Sequence, residues 1–238
     1  MDATTLLVGL ALFLAVFTQS LSGFGIALVA MALIPSLVGI HVATPLVAVV
    51  ALVLEIVLVL YYRQALEVQA VWKIALAAVV GTPLGVLFLS RVDEGIALAL
   101  LGVVIAGYAL YALLGWKMPR LENPTWAYLA GLVGGMLGGA YNTSGPPVIV
   151  YADCRRWPPD VFKGNLQGYF VIVSFAIVTS HAFNGNFTSQ IWQMFWWTLP
   201  FTILGIVSGL SLERWMNPVA FRRVILVLLV VMGIRLMF

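Results

Sequence analysis

The chain has 238 residues, of which 63% are hydrophobic and only 9% charged, with a formal net charge of +3 and a pI near 9.2. So few charges cannot clothe a water-facing surface of this size, which excludes a soluble globular domain and makes lipid the solvent. The basic residues are scattered singly between apolar runs, so the positive excess marks membrane topology and not a nucleic-acid surface. The single Cys154 excludes an intrachain disulfide and a cysteine-rich metal site. His41 and His181 lie far apart with no ligand spacing, and no metal or other cofactor is expected.

The sequence opens Met1-Asp2 without a basic region, and its apolar stretch runs on to about Leu37. That is too long for a cleaved signal peptide, so it is read as mature structure. In chain order the apolar segments fall at 4–38, 42–62, 70–90, 95–115, 126–152, 161–183, 190–212 and 218–237. Segment 4–38 as a single helix would rise about 50 Å, more than the ~30 Å of a hydrocarbon core. Segment 126–152 with its tail has the same problem. Each holds a cluster of small, polar or helix-breaking residues, Gln19-Ser20-Leu21-Ser22-Gly23-Phe24-Gly25 in the first and Tyr141-Asn142-Thr143-Ser144-Gly145-Pro146-Pro147 in the second. Both are read as broken helices, either hairpins or two short passes.

A shift of 122 residues lays Ser22-Gly23 on Ser144-Gly145, and a shift of 124 lays Gly81-x-x-x-Gly85 on Gly205-x-x-x-Gly209. Glycines at that spacing serve close helix packing, and their recurrence points to a duplication. If each broken segment returns to its starting side, Arg91 and Arg235 lie on one face of the membrane and the other ten lysines and arginines on the opposite face. The positive-inside rule makes that opposite face cytoplasmic. The expected fold is therefore all-α and polytopic, with two inverted repeats, 1–118 and 119–238, forming one membrane domain. Each repeat has a broken helix or helical hairpin followed by three transmembrane helices.

Where a helix is interrupted in lipid, the N–H groups at its restart hold an anion without any lysine. Ser22, Gly23, Ser144 and Gly145 are read at those restarts, with Gln19, Ser20, Asn142 and Thr143 as further donors and Phe24 and Gly25 completing the first break. Gly145 in particular is expected to need its backbone freedom. The competing reading is that these groups satisfy the backbone of a kink. Lys163, Asn165 and Gln167 open the sixth segment and would complement an anion from the cytoplasmic side, although Lys163 also suits an interfacial lysine. Glu55 stands alone as a carboxylate inside a span, as a coupling-proton site or a hydrogen bond between helices. His181 is a weaker coupling candidate, read as interfacial beside Asn184-Gly185-Asn186. Trp192, Trp196 and Trp197 form part of an aromatic belt. No phosphate-binding loop, zinc-protease motif or nucleophile elbow is present, so no enzyme is expected. A membrane enzyme or lipid-phosphate handler and a passive anion channel are the alternatives to a carrier.

Three stretches carry a family likeness: the break at Gly23-Phe24-Gly25; Gly81-Thr82-Pro83-Leu84-Gly85 leading to Arg91-Val92-Asp93; and Gly134-Gly135-Met136-Leu137-Gly138-Gly139 before Ser144-Gly145-Pro146-Pro147. With His41 to Thr44 at the opening of the second span, they resemble the sulfite exporter TauE/SafE family over about residues 5–237. The resemblance implies secondary transport of small sulfur-containing anions such as sulfite, thiosulfate or a sulfonate. It implies binding at Ser22 to Gly25 and Asn142 to Pro147, whereas Lys163, Asn165 and Gln167 rest on the repeat alone. The expected partners are that anion, the bilayer and a coupling proton or other ion, in the plasma or inner membrane of a prokaryote.

Overall fold

The computed structural model describes residues 3–116, 119–213, 215 and 218–238. Lys117 and Arg214, two cations of the topology count, lie outside these residues, as do Met1, Asp2 and the side chain of Arg222. All described elements are helical: α1 Ala3–Ser22, α2 Ile26–Leu33, α3 Pro35–Val38, α4 Ile40–Tyr61, a short 3-10 turn Arg63–Ala65, α5 Val68–Leu89, α6 Glu94–Leu114, α7 Thr125–Tyr141, α8 Gly145–Arg155, α9 Pro159–Phe183, α10 Ser189–Leu212 and α11 Pro218–Leu236. Among the described residues, α1, α4, α5, α6, α9 and α10 are long and apolar enough to cross a bilayer. The protein is a polytopic α-helical membrane protein. Prolines at 45, 83 and 200 sit inside long helices, as lipid-embedded helices tolerate.

Both long apolar segments break within the clusters read from the sequence. The first stops at Ser22 and restarts at Ile26, and the second stops at Tyr141 and restarts at Gly145. Because α3 touches α1 although α2 intervenes, the first segment doubles back on itself as a hairpin and does not continue straight.

The chain divides into two compact units, Met1–Val50 with Val92–Trp116 and Phe187–Phe238, and Ala51–Arg91 with Lys117–Asn186. Each unit therefore draws on both halves of the sequence. In the first, α1 packs along α10, where Gly205 and Gly209 face the carbonyls of Phe13 and Phe17. In the second, α7 packs along α5. Gly131, Gly135 and Gly139 meet the carbonyls of Ile74, Ala78 and Thr82 in ascending order, so the two helices run parallel. Gly81 and Gly85 return the contact onto the backbone at Leu132 and Met136. With a glycine on one side of each contact the backbones approach directly, which replaces the hydrophobic drive that lipid removes. Gly102 of α6 lies against Gly233, Leu236 and Met237 of α11, while Ala106 meets Gly233, an order that runs these two helices in opposite directions.

Helix ends inside each unit are tied by side chains. Asp93 caps α6 by accepting from the N–H groups of Gly95 (2.9 Å) and Ile96 (3.4 Å). Glu94 Oε1 accepts from Ile40 N–H at 2.9 Å and so closes the start of α4 from a residue far along the chain.

The seam gives a paired expectation. Gly135→Val drives a side chain into the Ala78 backbone and is expected to cost 1–3 kcal/mol or more. Gly107→Ala on α6 meets nothing within 4 Å and is expected to be neutral or stabilising by about 0.5–1 kcal/mol. Thermal unfolding in detergent reads both.

Candidate functional site

The first break is built by residues on both sides of three non-helical positions. Gly23 and Gly25 have φ of 86° and 117°, values open to glycine and strained for other residues, so the reversal is set there. Gly23 N–H donates to Gln19 O at 2.8 Å, which ends α1. The carboxamide of Gln19 then crosses the gap, its Oε1 accepting from Ile26 N–H at 3.1 Å, the first donor of α2. Gln19 is 2% exposed, and its Nε2 has no partner. Phe24 is buried with its ring edge-on to Tyr108 of α6, centroids 6.3 Å apart.

One expectation for this break changes. Ser22 does not lie at a restart but closes the end of α1, with its hydroxyl 2.7 Å from Thr18 O and 2.6 Å from Phe24 O. One hydroxyl proton serves both carbonyls, so Ser22 has no donor left for a guest. Ser20 is fully buried, with its Cβ facing Gly209 in the α1–α10 seam. A shallow recess beside the break is lined by Thr18, Ser22, Phe24, Gly25 and Leu28 with α11 residues such as Phe221 and Leu229. Its lining is almost wholly apolar.

The second break turns on Asn142, a non-glycine residue at φ 57°. Asparagine tolerates that left-handed conformation better than other side chains. Its N–H donates to Gly138 O at 2.7 Å, and Thr143 N–H reaches Leu137 O at 3.3 Å, together closing α7. The Thr143 hydroxyl donates to Tyr141 O at 3.0 Å. Ser144 is the N-cap of α8, yet its side chain makes no capping bond. Asn142, Thr143 and Ser144 are all buried. Gly145 does not need backbone freedom as expected: its φ is not positive, and a Cβ there would meet only Phe170 and Ile149 at 3.4–3.6 Å. The left-handed turn is taken three residues earlier at Asn142, and Gly145 is simply the first helical residue.

Sequence reading missed Tyr169 and Phe170 of α9 at this break. Tyr169 is fully buried, and its hydroxyl donates to Ser144 O at 3.5 Å. Gly134 of α7 leaves the space that hydroxyl fills, since a Cβ there would come within 2.6 Å of it. The available signal was the polar run Lys163 to Gln167, whose helical continuation reaches Tyr169.

The polar opening of α9 has a structural occupation. Asn165 is fully buried, and its Oδ1 accepts from Glu67 N–H at 2.8 Å, securing the start of α5. Gly164 and Gly168 flank it and accommodate Ala65 and Leu66. Lys163 Nζ stands 5.6 Å from the ring centroid of Tyr62, a cation–π contact at the same loop. Gln167 is fully buried, as is Glu55 within α4. His181, in the last turn of α9 beside Asn184-Gly185-Asn186, is 1% exposed, with its Nδ1 2.8 Å from Asn186 Nδ2. Its carbonyl also accepts from Asn186 N–H at 3.0 Å, so it fastens the turn after α9. His41 is exposed, and Trp192, Trp196 and Trp197 are exposed along α10.

A family model described as Sulfite exporter TauE/SafE matches residues 8–236. No curated protein and no solved structure matches the chain.

Removing the Asn165 acceptor deletes its hydrogen bond to the part-buried Glu67 N–H, so Asn165→Ala is expected to cost about 0.5–1.5 kcal/mol. Asn165→Asp, which keeps the acceptor, is expected to cost less. Thermal unfolding together with deuterium exchange at the start of α5 checks the pair.

Proposed function

Because the chain belongs to the sulfite exporter TauE/SafE family, a family of membrane transporters, we propose that it is a secondary transporter of small sulfur-containing oxyanions such as sulfite, thiosulfate or an organosulfonate. It works by alternating access in the plasma or inner membrane of a prokaryote. The observation that carries this reading is the extent of the family match, residues 8–236 of 238. The chemistry of the breaks supports it. Gln19, Asn142, Thr143 and Ser144 are uncharged and buried at the interruptions of otherwise apolar helices, where polar groups are costly and are kept for a function. In this reading the break of each unit binds the anion with amide and hydroxyl donors. Gln167 and Lys163 line its path, and Glu55 carries a coupling proton.

The halves 1–118 and 119–238 are, in the same proposal, inverted repeats that have exchanged helices. Two observations support it. Gly81 and Gly85 of the first half pack on α7 of the second, just as Gly205 and Gly209 of the second pack on α1 of the first. The last helices of the two halves, α6 and α11, run in opposite directions, as inversion requires.

Purified protein in proteoliposomes is expected to take up labelled sulfite or a short sulfonate saturably and to show counterflow. Uptake no greater than in empty vesicles for sulfite, thiosulfate and sulfonates overturns the proposal, and unsaturable flux without counterflow makes the protein a channel. Asn142→Gly removes the amide while keeping the left-handed backbone. It is expected to lower sulfite uptake about tenfold, the size of one hydrogen bond to a charged group at roughly 1.5–3 kcal/mol, with the protein still extractable and folded.

A further inference from the structure

The two breaks match in sequence but not in chemistry. At the start of α2 the first-turn N–H groups have no helical carbonyl to bond, and Gln19 Oε1 takes that of Ile26. Since Ile26 N–H is a donor, the atom facing it must be the amide oxygen, which fixes the orientation of the carboxamide. Oxygen and nitrogen share one carbon, so Nε2 stands at the same helix end, with Gln19 2% exposed and that nitrogen without a partner. The N–H groups of Ala27 and Leu28 belong to the same first turn, and Thr18 to Val29 includes no basic residue. At the start of α8, by contrast, Pro146 and Pro147 have no N–H to offer. The Ser144 carbonyl beside them accepts from Tyr169.

We propose that the amino end of α2, with Gln19 Nε2 as its side-chain donor, is an oxyanion subsite, and that the start of α8 supplies no equivalent helix-end donors. The ligand is an oxyanion recognised by neutral donors alone, and the inference rests on the sulfur-oxyanion reading above. Gln19 thereby has two duties, its oxygen capping α2 and its nitrogen meeting the anion.

Gln19→Glu separates these duties, because a carboxyl oxygen still accepts from Ile26 N–H while the NH₂ donor is gone. Sulfite is the probe, with its affinity measured by titration calorimetry on protein in nanodiscs and its KM in proteoliposomes. Gln19→Glu is expected to weaken sulfite binding at least about tenfold, equivalent to 1.4 kcal/mol, and to raise KM, with the unliganded melting temperature close to wild type. Gln19→Leu is expected to lose both affinity and melting temperature. Ser144→Ala is expected to weaken sulfite binding less than Gln19→Glu does. Wild-type affinity in Gln19→Glu reduces Gln19 to a helix cap and overturns the proposal, as does Ser144→Ala losing affinity as severely as Gln19→Glu. Failure of the wild-type protein to bind or move sulfite, thiosulfate or a sulfonate overturns the underlying reading instead, and is recognised by the loss of signal before any substitution is made.

Discussion

In hydrocarbon no water is present to bond a peptide group, so every interruption of a helix must be repaired by the chain itself. Most of what distinguishes this protein follows from two such interruptions. The first is repaired by one long side chain, Gln19, reaching across to Ile26, and by a serine bonding two carbonyls. The second is repaired by a left-handed asparagine and by Tyr169 reaching in from α9. Repairs of this kind leave polar atoms buried where a straight helix would have none.

Glycine placement lets the rest of the fold hold these breaks still. The legs α1 and α7 that lead into them each lie along a partner helix with backbone against backbone. The entry to α5 is held separately, by Asn165 and the glycines beside it. The stretches that looked alike in sequence thus divide into two kinds: residues that fix helices against each other, and residues that bury polar atoms at the breaks.

The helix order was legible because apolar runs in a membrane chain are long and their interruptions are few. Gly23, Gly25 and the Asn142 to Pro147 stretch stand out against that background, and the chain does break there. What was not legible depends on direction. Ser20 and Gln19 are neighbours, yet one turns into the α10 seam and the other across the gap, a difference fixed by the fold-back and not by residue type. Ser22 read as a donor because a hydroxyl is one, but two carbonyls claim its proton. Tyr169 was hidden because an aromatic residue in an apolar helix reads as lipid-facing, and only the hole at Gly134 reveals where its hydroxyl goes.

The seam between α5 and α7 constrains how such a protein can diversify. Where main chains touch over three successive turns, no position is left to adjust by trading one side chain for another. On the proposed reading, new preferences for cargo then arise at the few polar atoms around the interruptions, while the surrounding scaffold is passed on nearly unaltered.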